Sequence, residues 1–208
     1  MISAATNISG SKIITKDFFY QQKLIVQMLI EIIGLKDPST QNHSIKVAEY
    51  AELIAKDMKL SKNIVKIVKY SGYVHDFGKM AVPVKVLNKP ASLSNEEFQI
   101  IKKHPEKGAE LLNAIPGFSF LIPAVLYHHE RYDGQGYPGV YKGNDIPLMA
   151  RITSVADAFD AMTNYRSYRN QLSINEALEE LEVNAGKQFD SKVVKSFKNL
   201  VLKKQIKI

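Results

Sequence analysis

The sequence predicts an all-α protein, a single helical bundle domain of about seven to nine helices that carries one extended loop. Apolar residues recur at spacings of three and four along most of the 208 residues, which is the pattern of helices that bury one face. No convincing run shows the period of two that is typical of β-strands. The apolar fraction of 45% and the charged fraction of 24% are ordinary for a globular domain.

The first three helices follow from apolar spacing. An amphipathic helix leads to a stop at Gly34, so residues 1–35 are expected to form a tail and a helix, and residues 36–208 the main domain. A second helix follows His43, and a third runs from Ser61 into the region of His75.

Start and stop signals assign the later helices. Ser94 and Ser173 are each followed three residues later by a glutamate, which is the form of a capping box. A break is expected at His104-Pro105, where the proline can open the next helix. Another helix ends near His128 and gives way to the loop YDGQGYPGVYKGNDIP, whose glycines and prolines forbid regular structure. Helices after Pro147 and around residues 193–200 complete the set.

Composition limits the chemistry and the partners. The chain has no cysteine, so any metal must be bound by nitrogen and oxygen atoms. Its N-terminal residues lack the pattern of a secretory signal, and its apolar stretch at 24–35 is too short for the roughly 20 residues of a membrane helix; we expect a cytoplasmic protein without membrane insertion. The net charge of +7 favours anionic partners. DNA binding is the weaker alternative, because no helix concentrates lysine or arginine.

The five histidines are the strongest chemical signal. Each lies on a predicted helix or at its end, beside an acidic or helix-breaking residue: His43, His75, His104, His128 and His129. A lone histidine is usually a surface or core residue, so the prediction rests on the set. Imidazole together with carboxylate suits transition metals, whereas magnesium and calcium prefer oxygen ligands.

The adjacent pair His75-Asp76 indicates more than one metal ion. Neighbours on a helix point about 100° apart, so both can face one ion only if the helix end distorts. Alternatively, the Asp76 carboxylate bridges to a second ion. His128-His129 poses the same problem, and two ions would again let both side chains bind.

Four segments resemble the HD-GYP phosphodiesterases, an all-helical branch of the HD superfamily. They are VHDFGK at 74–79, HP at 104–105, HHERYDGQGYP at 128–138 and VADAFDAMT at 155–163. Each motif alone is weak, but their order and spacing make the combined signal strong.

The resemblance implies hydrolysis of cyclic di-GMP to pGpG, and often onward to GMP, by attack of a hydroxide that bridges two metal ions. It implies a first ligand set of His43, His75, Asp76 and Asp157, and a second site completed by His104, His128 and His129. Asp76 would bridge the ions, which we expect to be iron or manganese. Two cations close together lower the pKa of a shared water and neutralise phosphate charge.

The resemblance also assigns the substrate contacts. Lys79 would meet a phosphate oxygen, because it lies one helical turn from His75 if the helix continues past Gly78. Gly136, Tyr137 and Pro138 would shape the loop and contact the ligand. Arg166 and Arg169 match basic residues that hold phosphate or guanine, with surface charge as the alternative.

Two acidic residues have two interpretations each. Asp160 shares a helix face with Asp157, so it either orients a metal ligand from behind or is a structural partner. Asp37 either lies at the substrate entrance or caps the following turn. Ser39 stands where some relatives carry a glutamate that binds a third metal, which predicts two metal ions here.

Other functions stay open. One is a catalytically inactive module that binds a cyclic dinucleotide or a protein partner in cyclic di-GMP signalling. Another is a phosphohydrolase that acts on a different nucleotide, such as cyclic GMP-AMP. A homodimer is a further open alternative.

Overall fold

The computed structural model describes residues 7–164, 171–203 and 205, with side chains described from residue 20 onwards. Within these ranges the chain forms nine α-helices of six residues or more, and one single turn of four residues. They are α1 (Asn7–Lys36), α2 (Pro38–Asp57), α3 (Lys62–Val74), α4 (Val84–Leu87), α5 (Asn95–Lys102), α6 (His104–Asn113), α7 (Ile122–Tyr127), α8 (Leu148–Thr163), α9 (Ile174–Val183) and α10 (Ser191–Leu202). The only β-pairing described is an isolated bridge between Ala185 and Phe189. The all-α bundle is therefore confirmed.

The predicted helix starts are confirmed by their caps. Ser61 caps α3, and the capping boxes predicted at Ser94 and Ser173 open α5 and α9. The break predicted at His104 is also present, because α5 ends at Lys102 and α6 starts at His104 with Pro105 in its first turn.

The predicted stop at Gly34 is wrong, since α1 continues to Lys36. Val26, Leu29, Ile30 and Ile33 are buried along one face of α1, so packing holds this part of the helix. Gly34 lies against α2, where a Cβ would lie 2.3 Å from the flexible end of the Gln41 side chain. The helix ends where Asp37 becomes extended, with φ −151°, ahead of Pro38.

Two groups of buried apolar side chains form the core. The larger cluster joins α2, α3, α8, α9 and α10 around Tyr50, Phe159 and Phe197. The smaller cluster joins α1 to the end of α3 and to the segment at 112–125, with Phe118 and Leu121 fully buried. The division of the chain into residues 1–35 and 36–208 stays a prediction. Among the described residues, no helix has the length and apolar character needed to cross a membrane.

Candidate metal centre

Three histidines share one local geometry at helix ends. In each, Nδ1 lies 2.8 Å from the carbonyl oxygen three residues earlier: His75 from Gly72, His104 from Ile101 and His128 from Val125. A carbonyl oxygen can only accept a hydrogen bond, so Nδ1 carries the hydrogen. The Nε2 atom of each neutral ring therefore keeps a lone pair, which is the form in which histidine binds a metal.

His43, on α2, is held in the same way by a carboxylate. Its Nδ1 donates to Asp160 Oδ2 at 2.6 Å, and Asp160 on α8 is 1% exposed. His43 Nε2 lies 3.0 Å from Asp157 Oδ1 but has no hydrogen-bond partner. Asp160 is thus buried behind His43 and fixes the orientation of its ring. Both interpretations of Asp160 from the sequence describe this one contact.

Asp76 lies between the histidines contributed by different helices. One carboxylate oxygen, Oδ1, is 3.2 Å from His104 Nε2. The other, Oδ2, is 3.5 Å from His75 Nε2 and 3.8 Å from His43 Nε2. The helix end does distort, because α3 stops at Val74 and Asp76 has φ −94° and ψ 7°. As a result His75 and Asp76 both face the same interior space, although they are adjacent in sequence.

The predicted ligands fall into three groups in which the ligand atoms all lie within 4.8 Å of one another. The first is His43, His75 and Asp157, the second is His104, His128 and His129, and the third is His75, Asp76 and His128. Each group could hold a metal ion. The third shares His75 with the first and His128 with the second, so Asp76 lies where the two sets meet.

The charges of the site explain its protonation. Burial opposes ionisation of both carboxyls, but other groups outweigh it and hold each pKa well below the usual value: Lys79, His75 and His104 at Asp76, and His43, His75 and His129 at Asp157. Burial alone would lower the pKa of His43, yet the nearby carboxylates of Asp157 and Asp160 raise it to about 9. Burial lowers the pKa of His129 to about 3.

The buried nitrogen atoms suit a cation. His104 Nε2 and His128 Nε2 are 3.2 Å apart, and both carry lone pairs because each Nδ1 is a donor. Two lone pairs at that distance repel each other unless a proton or a cation lies between them. Metal–nitrogen bonds of about 2.1 Å bring two donors on one ion to roughly 3 Å from each other. His43 Nε2 and His75 Nε2 are also buried without a hydrogen-bond partner. The donor set therefore fits divalent transition metals.

Lys79 lies at the site, but the backbone that carries it differs from the predicted α-helix. The α-helix does not continue past Gly78; a 3-10 helix spans Phe77–Ala81 instead. That turn brings the Lys79 ammonium to 2.5 Å from Asp76 Oδ2. Its 22% exposed side chain keeps the ammonium at the edge of the site, where an anion can reach it.

The loop that contains Gly136, Tyr137 and Pro138, called the GYP loop below, lies over the second histidine set. The ring of Tyr137 stacks on His129 with centroids 4.7 Å apart, and Tyr137 N donates to His129 O at 3.1 Å. Gly136 lies where a Cβ would be 2.4 Å from His129 O, so the backbone approach requires glycine. The Tyr137-Pro138 peptide is cis. Burial raises the pKa of Tyr137, so the phenol stays protonated.

Glu130 was not predicted as a site residue, although it directly follows His129. Its side chain is 3% exposed, and Oε1 accepts from Val140 N at 2.7 Å and from Tyr141 N at 3.2 Å. These bonds tie the far end of the GYP loop to the end of α7. The only sequence signal was its position beside two histidines.

Lys36 was also missed, and nothing in the sequence could have found it. Its ammonium donates to three backbone carbonyls of the turn after Asp76: Lys79 O at 3.2 Å, Met80 O at 2.7 Å and Val82 O at 2.7 Å. The last residue of α1 thereby holds the 3-10 helix that carries Lys79. These acceptors lie 43 to 46 residues further along the chain.

Asp37 performs the capping role that the sequence allowed. It accepts from Ser39 N at 2.9 Å and from Thr40 Oγ1 at 2.5 Å, and so caps α2. It also lines a small cavity together with Asp76 and Lys79, and its contact with substrate stays a prediction. Arg166 and Arg169 lie outside the described residues.

Comparisons with known proteins show which family the chain belongs to. The model of the HD domain family matches residues 27–193. A protein of Thermotoga maritima named cyclic di-GMP phosphodiesterase is 36% identical over 92% of this chain and 51% of its own length. A protein of Vibrio cholerae named 3'3'-cGAMP-specific phosphodiesterase 2 is 35% identical over 83% of this chain and 33% of its own length. The chain thus spans about half, or less, of these relatives.

A solved structure is similar in fold. It belongs to a protein from Bdellovibrio bacteriovorus described as an HDG"Y"P protein, with a TM-score of 0.63 and 19% identity. The likeness covers 77% of this chain and 51% of that chain.

Proposed function

The chain belongs to the HD domain family, in its HD-GYP branch, and we propose that it is a metal-dependent phosphodiesterase that hydrolyses cyclic di-GMP. The product would be pGpG, with GMP released by a second cleavage. The observation that carries the proposal is the position of Asp76, whose two oxygens face the histidines of two different sets. The similar protein of Thermotoga maritima carries the same activity in its name.

The first ion would be held by His43, His75 and Asp157, and the second by His104, His128 and His129, with Asp76 between them. Bound divalent cations would acidify a water molecule and neutralise charge on the phosphate oxygens. Iron or manganese fits the mixture of imidazole and carboxylate. The absence of an acidic side chain at Ser39 supports two ions rather than three.

The side chains around these ligands have separate tasks. Asp160 keeps the Nε2 lone pair of His43 directed into the site, because it holds the hydrogen of Nδ1. Lys79 offers its ammonium to a phosphate oxygen at the edge of the site, and before substrate binds it balances the charge of Asp76. Tyr137 offers a protonated phenol and an aromatic face, and Gly136 and Pro138 set the path of its loop. Arg166 and Arg169 would add contacts to phosphate or guanine.

Cyclic GMP-AMP is the second candidate substrate. The observation in its favour is the relative of Vibrio cholerae that is named for this dinucleotide and is almost as similar as the one named for cyclic di-GMP. Both substrates have two phosphodiester bonds, and they differ in one base, so the metal centre serves either.

The test is turnover by purified protein supplied with iron or manganese under reducing conditions. We expect cyclic di-GMP to yield pGpG and GMP, and Asp76→Asn to abolish the reaction. Asp145→Asn is the matched control, because Asp145 is exposed and is not among the predicted ligands or substrate contacts. A metal-loaded protein that cleaves neither dinucleotide but binds one of them would establish the inactive binding module instead.

A further inference from the structure

A cavity of about 250 Å³ lies next to the turn that carries His104, since Lys103 and Pro105 on either side of that residue line it. Its walls come from the end of α5, the start of α6 and the GYP loop; they include Gln99, Lys102, Glu106, Tyr137 and Pro138. Tyr137 belongs to both the cavity and the metal centre, because its ring lines this cavity and stacks on His129. A ligand that occupies the metal centre can therefore extend into the cavity along the tyrosine.

Lys102 is a cation of this cavity that lies against the loop. Its ammonium is 4.9 Å from the centroid of the Tyr137 ring and 5.9 Å from that of Phe98, which are cation–π distances. The side chain is half-buried. Among the residues that the structure describes, no carboxylate lies within 4.0 Å of this ammonium, whereas Lys107 in α6 pairs with Glu110 at 2.7 Å.

Two aromatic rings hold the ammonium in place but do not neutralise it. Glu106 also lines the cavity, and it forms no ion pair with Lys102; Lys103 adds a second positive charge on the same wall. The cavity is thus net positive and has a positioned, unneutralised donor group. That combination suits an anion such as a phosphate.

Resting on the proposed function, we propose that Lys102 binds the phosphate that is not being cleaved. A cyclic dinucleotide has two phosphodiesters in one ring, and only one of them can lie at the metal centre at a time. The second must then lie some ångströms away, and the Tyr137 ring leads from His129 to Lys102 over such a distance. Lys79 serves the reacting phosphate and Lys102 the other.

Two substrates separate this role from a general effect on the site. Bis(p-nitrophenyl) phosphate has one phosphodiester and no second phosphate, whereas cyclic di-GMP has both. Lys102→Met should raise KM for cyclic di-GMP about tenfold, the size expected for a lost charge-assisted contact, with kcat within about twofold. The kcat/KM for bis(p-nitrophenyl) phosphate should change less than about twofold, and Lys102→Arg should restore most of the affinity.

Lys107→Met is the matched control, since it removes one exposed lysine from the following helix, α6. KM for cyclic di-GMP should also rise with salt more steeply in the wild type than in Lys102→Met, because the contact is ionic. An unchanged KM in Lys102→Met would overturn the inference and leave the proposed function standing. An equal loss on both substrates would overturn it too, since Lys102 would then act on the metal centre. Wild-type protein inactive on both substrates would refute the proposed function itself.

Discussion

Gly78 allows the turn after Asp76 to touch α6, and Gly78→Ala tests whether this contact sets the geometry of the metal centre. A Cβ there would lie 1.8 Å from His104 O and 2.5 Å from Gly108 N, whereas real Cβ contacts stay above 3.0 Å. Both neighbours are backbone atoms, so no side chain can rotate away. The start of α6 would have to move by more than about 1 Å, and it would carry His104 with it.

The expected cost has two parts. Overpacking of this size destabilises a protein by about 1–3 kcal/mol. Displacement of a catalytic group by about 1 Å costs about a hundredfold in rate. We therefore expect Gly78→Ala to fold with a lower urea midpoint, to lose about a hundredfold in kcat for cyclic di-GMP, and to bind less than two metal ions per chain by elemental analysis.

Gly34→Ala is the matched control for this substitution. There the added Cβ meets only the flexible end of Gln41, and the position lies within α1. Alanine in a helix interior is favoured over glycine by about 1 kcal/mol, so this variant should be at least as stable as the wild type and fully active. A Gly78→Ala variant with wild-type activity and two bound ions would refute the reasoning, because the contact between the turn and α6 would not position His104.

Three further predictions concern residues around the ligands. Asp160→Asn should lower metal affinity about 10- to 100-fold, because an amide holds the His43 ring less firmly than the carboxylate does. Titration against a competing chelator measures this affinity, and an unchanged value would contradict the prediction. Lys36→Met should lower the free energy of unfolding by about 1–3 kcal/mol, since three carbonyls lose their donor; an unchanged urea midpoint would contradict it. The metal-free protein should be most stable near pH 6.5: the raised pKa of His43 adds stability that is lost as pH rises towards 9, and the lowered pKa of His129 adds stability that is lost as pH falls towards 3. Melting temperatures across this range test the maximum, and a steady rise or fall would contradict it.

The sequence was informative where signals are local. Capping boxes at Ser94 and Ser173, and the proline after His104, are each read within a few residues, and all three are present in the structure. The grouping of all five histidines with Asp76 and Asp157 was also predicted, because the motifs fix their order. Their roles as metal ligands remain a proposal.

Non-local contacts could not be predicted. The continuation of α1 past Gly34 depends on apolar partners far along the chain. Lys36 contacts the turn that carries Met80, and Lys102 contacts the Tyr137 ring of the GYP loop. No rule of residue spacing predicts contacts between segments so far apart in the sequence. Lys79 lies against Asp76 through a 3-10 turn and not through the continued α-helix that the sequence predicted.

The central claim is that Asp76 joins two metal ions. Anomalous diffraction from crystals of protein loaded with manganese tests it most directly. The account predicts two peaks per chain, one beside His43, His75 and Asp157 and one beside His104, His128 and His129, with one Asp76 oxygen directed at each. A single peak, or two peaks that Asp76 does not contact, would contradict it.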